Sequence, residues 1–210
     1  MFPFLIPSEK QEAKVGRPRE PWKRERLLDA AMTALASGGI SGLTVKEVAY
    51  RAGVSPGSVH YHFSDLDGLV LGVVERALEE MYTRRLSAIS EHPDIRQKLT
   101  TLIDLGVPDE LSHEIAFLYD AVAVVRANPH YAVILRSYVE RQASLYRSVI
   151  DAGVATGLFR TRLSTESIAR TLLALEDAFD LYRAVGVSTS GAAGRAALRE
   201  YAELALGVEL

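Results

Sequence analysis

Within the segment SPGSVHYH, Ser55 to His62, hydroxyls, imidazoles and a phenol crowd together. Ser55, Pro56, Gly57 and Ser58 are small, so they leave backbone N–H groups unobstructed at what reads as a helix N-terminus. That end carries free donors and partial positive charge, and it attracts phosphate. His60, Tyr61 and His62 then offer hydrogen bonds and ring edges to bases or to a sugar-phosphate backbone. Metal ligation does not suit the pair of histidines, because residues two apart on a helix point to nearly opposite sides, unlike the i,i+4 pairs that share an ion. No cofactor or metal is expected.

The surrounding sequence supplies elements that would hold this segment. Thr44-Val45-Lys46-Glu47 reads as a capping box opening a short helix, with Leu43 placed to staple against Val48. Gly53 stands where a left-handed residue would end that helix, and Ser55-Pro56 gives the next one its N-cap and first-turn proline. Val59 and Phe63, four apart, share the inward face of this third helix. Two helices joined by so tight a turn cross steeply, which presents the second as a ridge able to enter a major groove; the unit reads as a helix-turn-helix. Lys46 and Arg51 on the preceding helix would add phosphate contacts.

Before this unit, Pro21 can open a helix in which Leu27, Leu28, Ala31 and Leu35 recur at helical spacing until Gly38-Gly39. After it, Ser64 or Asp65 can cap a long fourth helix reaching to about Ile89, and Pro93, Pro108, Pro129 and the stretch from Gly153 to Gly157 punctuate later ones. The chain of 210 residues, 48% hydrophobic, is predicted to be all-α with about nine helices and no internal repeat. Residues 1–20 form an arm, 21–68 the helix-turn-helix domain and 69–210 a larger helical body.

Charge is unevenly distributed. Residues 1–63 carry 9 Lys or Arg and 6 Asp or Glu, whereas residues 64–210 carry 15 and 21. A basic end on an acidic body fits a nucleic-acid binder. In the arm, Arg17 and Arg19 flank Pro18 after Gly16 and resemble a minor-groove hook, although Glu9, Glu12 and Glu20 equally suit a solvated tail. The absence of cysteine fits a reducing compartment, so the cytoplasm is the expected location. The apolar start, MFPFLIPSEK, lacks a basic flank and is too short for a signal-peptide core or a membrane span.

The order of these features resembles the TetR family of one-component transcriptional regulators: Gly39, Leu43-Thr44-Val45, Ala49, Ala52-Gly53-Val54-Ser55, then Val59-His60-Tyr61-His62-Phe63 and Leu69. The resemblance covers about residues 22–69. It implies that Tyr61 and His62 touch DNA, that Thr44 binds a phosphate, and that the body is a ligand-binding bundle whose occupancy reorients the two DNA heads of a homodimer. Leu66, flanked by Asp65 and Asp67, stands where the family usually has a lysine. Arg17, Arg19, Lys23 or Arg24 would compensate for the phosphate contact that Leu66 lacks.

The body shows no nucleophile elbow, zinc-helix motif or phosphate loop, so it is not read as an enzyme. His113, Phe117, Tyr119, Asp120, Arg126, Tyr131, Arg136 and Tyr138 are the groups on its central helices that could line a mostly apolar pocket; His113, Phe117, Tyr131 and Tyr138 are the ligand-binding candidates. Near the end, Ile168, Leu172, Leu175, Phe179 and Tyr182 form one apolar stripe, and Leu198, Tyr201, Ala205 and Val208 another. Two such helices can meet their mates across a twofold axis, although the same stripes also suit packing within one chain. The composite expectation is a repressor that binds a palindromic DNA operator as a homodimer and is released by a small-molecule effector. Two other readings stay open: a helical protein-interaction module that keeps the helix-turn-helix shape without operator binding, favoured by Leu66 and its aspartates, and an enzyme drafting Asp120, His113 and Tyr119.

Overall fold

The computed structural model describes residues 21–126, 128–187 and 190–210. Every regular element among them is helical: α1 (Pro21–Gly42), α2 (Val45–Ala52), α3 (Pro56–His62), α4 (Leu66–Glu91), α5 (Ile95–Gly106), α6 (His113–Val125), α7 (Pro129–Ala155), α8 (Thr165–Ala184) and α9 (Gly191–Leu206). None of these helices is long and apolar enough to cross a membrane.

Local chemistry sets most of the boundaries. In α1 the helical backbone breaks at Gly39, which adopts φ 63°, ψ −172°, and helical turns resume as far as Gly42. The break falls where the double glycine predicts an end, but the element runs on because Gly42 and Leu43 are where the chain turns away. Thr44 caps α2 by accepting the Glu47 N–H at 3.1 Å. The reciprocal half of the expected capping box is not made. The Glu47 carboxylate turns forward to Arg51 Nε at 2.6 Å, since a charged i,i+4 partner outcompetes a neutral backbone donor. Gly53 ends α2 in the left-handed region at φ 64°, ψ 38°, and its N–H reaches back to Tyr50 O at 3.1 Å. Ser55 then caps α3 and Asp65 caps α4, each with its side-chain oxygen on the N–H three residues ahead.

Two hydrophobic cores organise the helices. The first joins α1 to α4: Leu27, Leu28, Ala31, Val48, Val59, Phe63, Leu69 and Val73 are all buried in it. Gly72 lets α4 approach closely, because a methyl there would stand 2.9 Å from the Phe63 ring and 3.3 Å from Leu28. This core does not stop at residue 68. Phe117 and Ala121 of α6 and Tyr131 of α7 pack into it, so the helix-turn-helix unit shares its apolar interior with the body. The second core holds α5, α7, α8 and α9 around Leu99, Leu102, Tyr146, Ile150, Ile168, Leu172 and Leu198.

A buried ion pair fastens α4 across the body. Arg85 donates to both oxygens of Glu176 on α8, at 3.0 and 2.9 Å, and to Leu102 O on α5 at 3.1 Å. Tyr146 on α7 donates its hydroxyl to the same carboxylate. Gly106 makes room for it, since a side chain there would occupy the space of the carboxylate oxygens. Burial pushes the Glu176 carboxyl up and the Arg85 guanidinium draws it back, while burial opposes charge on Arg85 and is outweighed by Glu176 together with Tyr146 and Tyr138. Glu176→Ala strands a buried guanidinium and is expected to lower unfolding free energy by about 3–5 kcal/mol in urea denaturation, and Gly106→Ala to destabilise the same fold through the same carboxylate.

Candidate nucleic-acid interface and internal cavity

The second and third helices place most of the candidate contact groups outward. Buried Val48, Ala49, Ala52 and Val59 hold α2 and α3 against α1, and the opposite faces meet solvent. Thr44, Lys46, Ser55, Pro56, Gly57 and His60 are exposed, Tyr61 is 50% exposed, and Ser58 and His62 are half-buried. The Tyr61 and His62 rings meet edge to face with centroids 5.1 Å apart. The Ser55 hydroxyl accepts the Ser58 N–H at 3.3 Å, which leaves its own proton available to an oxygen outside the chain. Tyr50, in the last turn of α2, is 82% exposed and was not among the sequence candidates. Its signal was legible: positions 49 and 52 face the core, so an aromatic at 50 must face out.

The flanks differ from the expectation. Arg24 lies over the Phe63 ring at 5.4 Å and pairs with Glu75 at 3.8 Å, so it clamps α1 to α4 rather than standing free for phosphate. Leu66 is half-buried against the first core, and Asp65 is consumed as the N-cap of α4, so the acidic pair around Leu66 serves the helix start, where negative charge is favoured. Arg17 and Arg19 lie outside the described residues.

Behind the helix-turn-helix a cavity of about 320 Å³ opens between α4, α6, α7 and α8. Val74, Leu78, Leu118 and Leu135 supply apolar wall, Tyr119, Tyr131 and Tyr138 phenols, and Asp177 and Asp180 carboxylates. An adjoining hollow of about 200 Å³ shares Met81, Ile115, Tyr138, Asp177 and Asp180 and reaches the Arg85–Glu176 pair. Burial pushes the Tyr119, Tyr131 and Tyr138 phenols up, and the nearby carboxylates add to this at Tyr119, so all three stay neutral donors. Asp180 is pushed up to about 7 by burial, against the pull of Arg183, and Asp177 to about 6 by burial and by Glu176. Asp177 lies at the rim, where solvent still reaches it.

Residues 27–73 match the family model described as bacterial regulatory proteins, tetR family. Over 168 residues, 79% of this chain and 79% of the relative, the sequence is 27% identical to the HTH-type transcriptional repressor KstR2 of Rhodococcus jostii (strain RHA1). A 90-residue stretch, 43% of this chain and 45% of the relative, is 32% identical to the HTH-type transcriptional regulator BetI of Brucella anthropi. A solved TetR transcription regulator from Haloarcula marismortui ATCC 43049 has a similar fold, with a TM-score of 0.80 at 23% identity, covering 89% of this chain and 100% of that chain. So does a transcriptional regulator from Saccharomonospora viridis in complex with choline, with a TM-score of 0.75 at 22% identity, covering 88% of this chain and 97% of that chain.

The helix-turn-helix of this chain, within residues 27–73, is of the TetR-family type. The expected all-helical architecture is present among the described residues, an N-terminal helix-turn-helix followed by a C-terminal helical domain, and the fold is similar to that of the solved TetR regulator.

Within the C-terminal body the sequence candidates separate. Tyr131 and Tyr138 line the cavity. His113 and Phe117 do not: they line a shallow hollow against Met32 and Leu35 of α1, because the first turns of α6 pack beside the DNA head. Asp120 is exposed and Tyr119, with its hydroxyl on Asp177 O at 3.0 Å, belongs to the cavity instead. Asp177 and Asp180 were missed because the spacing 176, 177, 180 on α8 carries no known motif. Of the terminal stripes, Ile168, Leu172 and Leu198 have no exposed surface and belong to the second core, so they cannot meet a second copy. Phe179 packs on Gly194 of α9, and Leu175, Tyr201, Ala205 and Val208 are half-buried against the same core. Within α8 and α9 the exposed large apolar side chains among the described residues are Leu181, Tyr182 and Leu204, the last 85% exposed.

An acid raised by burial stabilises the fold while protonated, so the Asp177 contribution is present at low pH and is lost as pH rises from 3.8 through about 6. Asp177→Asn removes that loss. Its melting temperature is expected to exceed that of the parent chain at about pH 8 and to approach it at about pH 4.5, as followed by circular dichroism.

Proposed function

We propose that this chain is a homodimeric repressor that binds a palindromic operator and lets go when a small molecule fills the central cavity. The observation that carries the reading is that one surface serves two ends: Val74 and Leu78 of α4 are buried in the core that holds the helix-turn-helix and also form wall of the cavity. A ligand that displaces α4 therefore pushes on the element against which α1 and α3 are packed. Phe117 and Leu118, neighbours on α6, repeat the arrangement, one set against the DNA head and the other facing the cavity.

In this reading the α3 N-terminus meets the phosphate backbone through Ser55, Gly57 and Ser58, with Thr44 and Lys46 adding contacts from α2. His60, Tyr61 and His62 reach base edges or sugar-phosphate, and Tyr50 extends the footprint. Arg17 and Arg19 would follow the adjacent minor groove. Leu204, with Tyr201 and Ala205 beside it, and Tyr182 on α8 supply an apolar face on which α8 and α9 of two copies would form a four-helix interface. The twofold then sets half-sites about 34–36 Å apart or a multiple of that. An effector that favours the non-binding state by about 3 kcal/mol weakens operator affinity roughly a hundredfold.

Selection of fragments from a random DNA library, followed by a salt series on the recovered sites, tests the reading. A palindrome is expected, with log affinity falling against log salt at a slope near −0.9 per phosphate neutralised. Recovery of no site would favour the protein-interaction module. On the recovered site Tyr61→Ala is expected to cost about 1–3 kcal/mol without a change in melting temperature. Leu204→Glu places a carboxylate at the centre of the apolar face and is expected to shift the chain toward monomer in analytical ultracentrifugation, with operator affinity lost in parallel.

A further inference from the structure

The charges around the cavity do not balance. Among the described residues Arg85 is engaged by Glu176 at 2.9 Å, Asp180 is met by Arg183 at 3.4 Å, and Asp104 is taken by Arg195 and Arg199. The Arg183 guanidinium is further held by the carbonyls of Pro108 and Asp109, at 2.7 and 3.0 Å. Arg84 points to Glu114 at 4.0 Å. Asp177 is left over. Its carbonyl receives the Tyr119 hydroxyl, yet no cation of the described residues pairs with its carboxylate, although it lines both the cavity and the adjoining hollow.

The cavity geometry points to an organic cation as its ligand: we propose that an amine or quaternary ammonium with an apolar body binds there, its charge beside Asp177 and between the faces of Tyr119 and Tyr138. Three features of the wall select this class. The carboxylates of Glu176, Asp177 and Asp180 lie at i, i+1 and i+4 of α8, and together they disfavour an anion. A neutral apolar ligand would strip water from Asp177 and offer it nothing, which is unfavourable for a carboxylate. Tyrosine faces attract a cation through their ring quadrupoles, and the leucine and valine wall accommodates a hydrocarbon tail. Burial and the neighbouring Glu176 carboxylate raise the Asp177 carboxyl, and Arg85 draws it back only in part.

The inference rests on reading the body as an effector-binding domain, and the experiment separates the two. Calorimetric titration of the full chain with octyltrimethylammonium, octanol and octanoate compares one tail bearing positive, neutral and negative heads. The ammonium compound is expected to bind at least about tenfold more tightly than octanol, and octanoate more weakly than either. Asp177→Asn is expected to lose about tenfold or more of the ammonium affinity while its octanol affinity holds. Octanol or octanoate binding as tightly as the ammonium compound, or an Asp177→Asn chain with unchanged preference, overturns the proposal. A chain that holds its selected operator but shows no preference for the ammonium compound loses the cation and keeps the regulator; a chain that binds the ammonium compound but recovers no operator does the reverse.

Discussion

The bidentate bond between Arg85 and Glu176 ties the far half of α4 to α8, with Leu102 of α5 and Tyr146 of α7 completing the attachment. Four helices meet at one carboxylate, and Gly106 exists in that position because no side chain fits beside it. A buried pair of this kind is weak evidence for net stability, since the desolvation of two charges offsets much of their attraction. Its consequence is positional. It fixes the register of α4 against the body, and so fixes which α4 residues reach forward into the DNA head and which face the cavity.

From that anchor α4 runs as a single helix to its cap at Asp65, and its near half has no interior of its own. Leu69, Val70, Val73 and Val74 complete the core of the helix-turn-helix, while Leu78 and Met81 turn toward the cavity. The head is therefore not a separately packed module hung on a linker. Arg24 paired with Glu75, Gly72 against the Phe63 ring, and Phe117 packed into the first core bind it to the body on two sides. Interiors packed this tightly shift between discrete arrangements rather than deforming smoothly, which is the property a ligand-operated switch requires.

The cavity acquires its chemistry from α8. Glu176 turns inward to Arg85, and Asp177 and Asp180, one and four residues on, face the space lined by Tyr119, Tyr131 and Tyr138. Each of these side chains is ordinary in isolation. Placed together, they set beside the tyrosines of the cavity a carboxylate, Asp177, that no cation among the described residues pairs with.

Local sequence chemistry determined the helix-turn-helix and the start of α4. Thr44, Gly53, Ser55-Pro56 and Asp65 dictate where α2, α3 and α4 begin or end, because caps and left-handed turns depend on residues within four positions of each other. The inward Val59 and Phe63 and the outward His60 and Tyr61 follow from helical period alone. The body was legible only as helices separated by proline and glycine. Whether Leu172 and Leu198 faced a partner or their own chain could not be read, since both uses demand the same stripe, and tertiary packing assigned them to the interior. Tertiary packing likewise carried Phe117 to the DNA head and brought Asp177 into one cavity wall with Tyr119, Tyr131 and Tyr138 from α6 and α7. Contacts between distant segments depend on how helices cross, and helix crossing is set by the packing of whole faces rather than by any local run of residues.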